Sequence, residues 1–196
     1  AVLIDQILPD AGGNVVLGYH GPVRLAELTG LGVGRVEPES VQLASGVWSG
    51  SLTVYRADET DLQLGAARVH AHLPGDPGRS GTSATFSVHP GPLARLQLLA
   101  PGMTAWPGSL AGYTGTPASQ AATTPFTVSV RATDTWWNPL PSSHQVRVVS
   151  SDTWATTPLT MSLAGGYAEA GVALATTGVV ELFNRPPPTQ APASTT

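Results

Sequence analysis

The sequence predicts an all-β protein built from β-sandwiches, and three observations support this prediction. Apolar and polar residues alternate with a period of two, as in residues 126–132, which places the apolar side chains on one face of a strand. The chain has 22 Gly and 18 Pro, and many of them cluster between the alternating segments, as in turns. The one helix candidate, residues 93–100, is bounded by Pro92 and Pro101 and has no capping residue, so we predict a strand there.

The predicted strands are short and evenly spaced, as is typical of sandwiches and barrels. Besides residues 93–100, they are residues 15–17, 22–25, 51–55, 85–88, 126–132, 145–148 and 171–174. Turn sequences rich in Gly, Pro, Asp and Asn separate them, at residues 10–14, 30–34, 74–78, 101–102, 107–108 and 165–166.

The chain contains an internal repeat. When residues 1–14 are placed over residues 125–138, Asp10 meets Asp134 and Asn14 meets Asn138, so that each copy has a strand followed by an Asp-x-x-x-Asn turn. Each copy then has a Leu-Ala-Ser-Gly or Leu-Ala-Gly-Gly turn before a further alternating segment. We therefore predict two tandem sandwiches, at residues 1–90 and 91–184, with the second beginning in a long strand-and-loop segment.

The two copies differ at their starts. The second copy is preceded by residues 93–124, which can supply its first strand, whereas the first copy begins directly at the strand that matches residues 126–132. The first copy therefore lacks its own first strand, and we expect an open sheet edge there. Proteins normally cover such an edge, and the addition of a strand from another chain or domain is one way to do so.

The C-terminal residues 185–196 have no apolar period and contain three consecutive prolines. Such a sequence favours an extended polyproline II conformation. We predict that residues 185–196 are a linker to a further part of the protein, or a tail that lies along a neighbouring subunit.

Several motifs resemble bacterial immunoglobulin-like repeats, the invasin/intimin- and filamin-like modules of large surface proteins. They are Phe-Thr-Val-Ser-Val-Arg-Ala-Thr-Asp-x-x-x-Asn at 126–138, Val-Arg-Val-Val-Ser-Ser-Asp at 146–152 and Gly-Val-Ala-Leu-Ala-Thr-Thr-Gly at 171–178. Segments 14–25 and 45–54 of the first copy are similar. The resemblance covers most of residues 1–184. It implies two tandem immunoglobulin-like β-sandwiches, extracellular display, and a role in adhesion, stalks or fibres without shared catalytic residues.

Composition and charge argue against several classes of function. The formal net charge is −4 and the nine basic residues are scattered arginines, so no basic face is expected for a nucleic acid or for anionic lipid. No apolar stretch approaches the roughly 20 residues of a spanning helix, so membrane insertion is not expected. There is no cysteine, no Gly-x-Ser-x-Gly motif and no phosphate-binding loop with a lysine. We therefore do not expect an enzyme.

The tryptophans are the candidate ligand or interface residues. Trp136 and Trp137 are adjacent in a turn and point in different directions, so they cannot both lie in the core. An exposed one would suit sugar stacking or a protein contact, whereas the alternative is that one covers the end of the core and the other packs on a neighbouring domain. For Trp48, Trp106 and Trp154 we favour roles in covering the core or in packing between domains.

Two polar groups are weighed as cation sites. Asp10, Asn14, Asp134 and Asn138 offer oxygen ligands for Ca²⁺, but the Asp-rich loop signature is absent, so side-chain hydrogen bonds in tight turns are the better interpretation. His70, His72 and the nearby Asp76 offer metal ligands, but no third ligand has convincing spacing. We therefore expect no metal centre and no cofactor, with calcium as the alternative.

Together these observations predict a non-catalytic structural module of an extracellular bacterial filament, stalk or surface layer. Its expected partners are copies of itself or neighbouring immunoglobulin-like modules, joined through strand and domain contacts. The alternative is an adhesin or carbohydrate-binding module that presents an exposed tryptophan of the 134–138 turn to surface glycans.

Overall fold

The structure, a computed structural model, describes residues 2–7, 13–29, 32–57, 66–157, 159–178 and 181–185. Within these ranges every regular element is a strand, and the fold is all-β as predicted. The strands are β1 (Val2–Ile7), β2 (Pro22–Thr29), β3 (Gly32–Gly34), β4 (Val36–Glu37), β5 (Ser40–Gln42), β6 (Val47–Val54), β7 (Ala66–Leu73), β8 (Asp76–Thr82), β9 (Phe86–Ser87), β10 (Arg95–Leu99), β11 (Met103–Ala105), β12 (Tyr113–Gly115), β13 (Phe126–Thr133), β14 (Gln145–Ser150), β15 (Leu159–Ser162), β16 (Tyr167–Val172) and β17 (Leu182–Arg185).

One predicted strand is wrong. Residues 15–17 lead into a turn, in which the amide of Tyr19 donates to the carbonyl oxygen of Val16 at 3.1 Å. Leu17 is 68% exposed, so its apolar side chain does not mark a core face. The run is only three residues long and is followed by Gly18, which is too little alternation to specify a strand. The segment 93–100, for which we predict a strand and not a helix, contains the strand β10.

The chain divides into two compact units. Unit 1 comprises Ala1–Pro90 together with Pro107–Leu110, and unit 2 comprises Gly91–Trp106 together with Ala111–Thr196. β17 ends with Arg185, and the other residues of the predicted tail, 186–196, lie outside the described ranges.

Unit 1 has two antiparallel sheets. The first has the strand order β1-β6-β4, and the second has the order β3-β2-β7-β8, with β5 also paired to β2 and β9 to β7. Side chains from both sheets share one core, to which the first sheet contributes Leu52 and Val36 and the second contributes Val23, Leu25 and Val69. A core between two antiparallel sheets is the arrangement of a sandwich.

Unit 2 is built in the same way. Its first sheet has the order β10-β13-β16 and its second the order β15-β14-β17, while β11 and β12 form a separate hairpin. Val128 and Val130 of the first sheet and Val146 and Val148 of the second are fully buried in a common core. Burying each such side chain contributes about 1.5–3 kcal/mol, so the alternating pattern that predicts these strands also supplies most of their stabilisation.

The two units repeat the same strand registers. In the first sheets, Val2 pairs with Leu52 in unit 1, and Phe126 pairs with Val172 in unit 2, with six consecutive pairs in each case. In the second sheets, β2 and β5 begin pairing at Pro22 and Gln42, and β14 and β15 begin at Gln145 and Ser162. β13, β16, β14 and β15 are therefore the counterparts of β1, β6, β2 and β5.

The third shared pairing joins β2 to β7 in unit 1 and β14 to β17 in unit 2. Arg24 of β2 pairs with His72 of β7, and Arg147 of β14 pairs with Arg185 of β17. The turn before β6 and the turn before β16 also match, because Ala44 bridges Val47 as Ala164 bridges Tyr167. The internal repeat of the sequence therefore extends to the hydrogen-bonding pattern of both sheets.

The described residues contain no helix that is long and apolar enough to cross a membrane.

Candidate functional site

The first sheet of unit 1 has one strand position that is not filled by the described residues. In unit 2, β13 lies between β10 and β16 and pairs with both. In unit 1, β1 takes the place of β13 and β6 the place of β16, but within the described ranges β1 pairs with β6 alone. The position that β10 occupies beside β13 has no described counterpart beside β1. This edge, which we call the β1 edge, is the candidate functional site.

The repeated register shows which backbone groups face the β1 edge. In β13, the amide of Ala132 donates to the carbonyl oxygen of Gly166 at 2.8 Å, on the side of β16. Backbone N–H and C=O groups alternate in direction along a strand. The N–H and C=O groups of Ser129 and Arg131 therefore point to the other side, towards β10. By the same register the N–H and C=O groups of Asp5 and Ile7 face away from β6.

In unit 2 the additional strand supplies apolar side chains as well as hydrogen bonds. Leu96 and Leu98 of β10 pack against the core, and Leu99 is buried. A strand added at the equivalent position of unit 1 would lie antiparallel to β1, by analogy with the β10–β13 pairing.

Trp48 lies on β6, the strand that pairs with β1 on the side opposite to the β1 edge. It is paired with Gln6, as Ala168 is paired with Val130 in unit 2, and it packs against the unit 1 core. The Trp48 ring lies on Gly50, where an added Cβ would come within 2.5 Å of Cζ2 of the ring. Trp48 therefore covers part of the core of unit 1.

Asp134 and Asn138 are buried and form a hydrogen-bonded turn. One carboxylate oxygen of Asp134, Oδ1, accepts from the amides of Trp136 at 2.7 Å and Asn138 at 3.0 Å. The other, Oδ2, accepts from the amide of Gly91 at 2.8 Å and from the Asn138 side chain at 3.0 Å. Four donors converge on this carboxylate, which is the geometry of an Asx turn and leaves its oxygens poorly placed for a cation.

The counterparts of Asp134 and Asn138 in unit 1 are Asp10 and Asn14. Asp10 lies outside the described residues, and Asn14 is exposed. Within the described ranges no group of three His, Asp or Glu side chains is arranged to hold a metal ion. His70 and His72 share one face of β7 with their rings 5.7 Å apart, but Asp76 forms an ion pair with Arg79 at 3.1 Å.

Trp136 and Trp137 are both partly buried. The guanidinium of Arg95 lies over the Trp137 ring, 4.7 Å from its centroid, and Gly112 lies so close that an added Cβ would be 2.4 Å from the ring. Trp137 has a φ of 64°, so the turn holds it in a left-handed conformation. These contacts are packing within unit 2 and leave less of the Trp137 ring for a ligand than the sequence suggested.

The most exposed tryptophan is one for which we had expected a packing role. Trp154 is 79% exposed, and Trp106 is 48% exposed. The expectation that Trp154 covers a core is therefore wrong. Its position depends on a turn that sequence analysis did not identify, built on Asp152.

Asp152 is buried and anchors two segments of unit 2. Its Oδ1 accepts from the amide of Trp154 at 3.0 Å, and its Oδ2 accepts from the amides of Ala175 at 2.7 Å and Thr176 at 2.9 Å. These hydrogen bonds stabilise the charged carboxylate and lower the pKa of Asp152 below its usual value of 3.8. The hydrogen bond from the backbone amide of Thr176 has the largest effect on this pKa. Asp-x-Trp in a loop was the signal that could have revealed this turn.

Comparison with known proteins identifies no relative: no known protein family, curated protein or solved structure matches the chain. The arrangement of the strands and the chemistry of the exposed residues therefore carry the argument about function.

Proposed function

We propose that the chain is a non-catalytic structural module of an extracellular bacterial filament, stalk or surface layer. In this proposal it joins copies of itself, or neighbouring immunoglobulin-like modules, by accepting a strand at the β1 edge. The observation that carries the proposal is the unequal pairing of two equivalent strands, β13 with two partners and β1 with one among the described residues.

Strand addition has a clear physical basis at this position. A sheet edge presents a row of N–H and C=O groups, and an incoming strand satisfies them with main-chain hydrogen bonds of little sequence specificity. The β10–β13 pair of unit 2 provides an internal example of such a strand, antiparallel and five residue pairs long. An added strand of that length would give β1 a partner on each side, as β13 has in unit 2.

The repeated architecture supports a structural role. Each unit has two antiparallel sheets around one core, and the two units use the same registers, so we infer two tandem immunoglobulin-like sandwiches. Modules of one kind in series are suited to stalks and fibres, whose length depends on repetition. With 11% charged residues and a net charge of −4, the chain carries little like charge to oppose association.

Self-association of the purified chain tests the proposal. Size-exclusion chromatography and electron microscopy are expected to show concentration-dependent oligomers or filaments. Asp5→Pro removes an N–H that faces the edge, at a position where an edge strand tolerates proline, and is expected to abolish association. Asp5→Ala, which keeps the N–H, is the matched control and should associate like the wild type.

Two results would overturn this proposal. One is a wild-type chain that stays monomeric at every concentration up to its solubility limit. The other is an assembly that Asp5→Pro leaves unchanged while circular dichroism shows that the variant is folded, because the contacts would then lie elsewhere.

The alternative, an adhesin or carbohydrate-binding module acting through the 134–138 turn, has weaker support. The ring of Trp137 is engaged by Arg95 and Gly112, and Trp136 is partly buried. A glycan array with the wild type and Trp137→Ala tests it, and binding that the substitution removes without unfolding the chain would favour this alternative.

A further inference from the structure

Unit 2 contains a surface groove whose described lining residues are all uncharged. Its volume is about 270 Å³, and it lies between residues 117–122 on one side and residues 174–178 with Leu182 on the other. Phe126, Leu174 and Leu182, which also pack against the core, form the apolar part of the lining. The polar part consists of Ser119, Gln120, Thr176 and Thr177.

The polar side of this groove is held in place by main-chain and side-chain hydrogen bonds. The side-chain Nε2 of Gln120 donates to the carbonyl oxygen of Ala118 at 3.0 Å. The backbone amide of Thr123 donates to the carbonyl oxygen of Leu174 at 2.6 Å. Asp152 fixes the other side, because it accepts the amide of Thr176 at 2.9 Å. The groove is therefore formed by ordered segments of unit 2.

Trp154 is attached to the same anchor. Its amide donates to one oxygen of Asp152 while the amide of Thr176 donates to the other, so one buried carboxylate holds both residues. The turn is braced further by Thr156 and Ala173, which exchange hydrogen bonds of 3.0 and 2.9 Å. An indole that is 79% exposed therefore stands on a braced turn whose anchor, Asp152, also holds Thr176 of the groove lining.

We propose that the groove and Trp154 together form a binding site for a neutral carbohydrate. The exposed face of an indole packs against the C–H groups of a sugar ring, which is apolar on its faces and polar at its edges. The hydroxyl groups of Ser119 and Thr177 and the amide of Gln120 are donors and acceptors for sugar hydroxyls.

The charge of the lining distinguishes this ligand from anionic ones. A phosphate, sulfate or carboxylate would require a cation or several converging amides, and among the described residues no Arg or His lines the groove. The volume, below the roughly 300–1,000 Å³ of sites for drug-sized ligands, suits one ring of an oligosaccharide, with Trp154 as a second contact. This site is independent of strand addition at the β1 edge.

Isothermal titration calorimetry of the full chain tests the proposal, with cellotetraose, maltotetraose, chitotetraose and mannotetraose as probes. At least one is expected to bind the wild type, and Trp154→Ala is expected to weaken binding about tenfold or more, since stacking and buried area are both lost. Trp106→Ala is the matched control: it removes another exposed tryptophan, but one that does not share the Asp152 anchor with Thr176 of the groove, so this variant should bind like the wild type.

Ser119→Trp provides a second variant, because a large side chain at this exposed position would fill the groove without disturbing the core. It should abolish binding while the melting temperature stays unchanged. The proposal is overturned if none of the four probes binds at millimolar concentration, or if binding survives both Trp154→Ala and Ser119→Trp. It is also overturned if a synthetic peptide of residues 186–196 binds the groove and the sugars do not.

Discussion

Gly166 lies directly against the carbonyl oxygen of Leu140: a Cβ at position 166 would come within 2.0 Å of that oxygen, and the φ of Gly166 is 88°. Gly46 has the same relationship to Val16 in unit 1, at 2.4 Å and with a φ of 74°. Gly166→Ala is therefore expected to destabilise unit 2 by about 3 kcal/mol, because it adds a steric clash with backbone to a strained conformation. Urea denaturation measures the loss.

Gly171 is the matched control for this substitution. It lies in β16, the strand that follows Gly166, has no positive φ, and has no heavy atom of the described residues within 4 Å of an added Cβ. Gly171→Ala should change the free energy of unfolding by no more than about 1 kcal/mol. Equal effects of the two substitutions would contradict the role assigned to the Gly166–Leu140 contact.

The turn at Asp134 predicts a second effect on stability. Asp134→Ala leaves three backbone amides and the Asn138 side chain without their acceptor, and should cost about 2–4 kcal/mol. Asp134→Asn keeps the shape and one acceptor oxygen, so its cost should be intermediate. The unfolding midpoint in urea measures both, and an unchanged midpoint in Asp134→Ala would show that the turn does not depend on the carboxylate.

The same hydrogen bonds lead to a prediction about calcium. Since four donors converge on the Asp134 oxygens, the geometry favours the structural interpretation of this turn over a cation site. Addition of 5 mM Ca²⁺, a concentration above the roughly 0.1–1 mM dissociation constants of weak extracellular calcium modules, should shift the melting temperature by less than about 1 °C relative to EDTA. A rise of several degrees, lost in Asp134→Asn, would instead establish a calcium site.

Asp152 predicts a pH dependence of stability. Its pKa is lower in the folded chain than the usual 3.8, so the folded state binds this proton less readily than the unfolded state. The stabilisation is present above about pH 4 and is lost as the pH falls through the folded-state pKa. The stability difference between the wild type and Asp152→Asn should therefore be largest near neutral pH and shrink below pH 4. A constant difference across this range would be inconsistent with the prediction.

The repeat and the strands with clear alternation were predictable from the sequence because both leave local patterns, whereas β7, β8, β11 and β12 were not predicted. Alternation of apolar and polar residues identified residues 126–132 and 145–148, which lie in β13 and β14. The aligned Leu-Ala-Ser-Gly and Leu-Ala-Gly-Gly turns correspond to the equivalent bridges at Ala44 and Ala164. These features depend on neighbours in the chain.

Other features depend on partners that are distant in sequence and were not predictable. The Asp-x-Trp motif indicates only the local part of the turn at Asp152, whereas the hydrogen bonds of its Oδ2 with the amides of Ala175 and Thr176 leave no local pattern. The packing of Trp137 requires Arg95 and Gly112, more than twenty residues away. The turn that replaces the predicted strand at residues 15–17 is held partly by the amide of Gly46, which donates to Tyr19.

Amide hydrogen exchange at Asp5 and Ile7, followed by NMR at micromolar and at millimolar concentration, tests the central claim about the β1 edge most directly. Ser129 and Arg131, their counterparts in β13, serve as internal references because they face β10. We predict rapid exchange of the Asp5 and Ile7 amides in the dilute chain and protection that appears as the concentration rises. Protection of these two amides equal to that of Ser129 and Arg131 in the dilute monomer would contradict the account, since the edge would already be covered by its own chain.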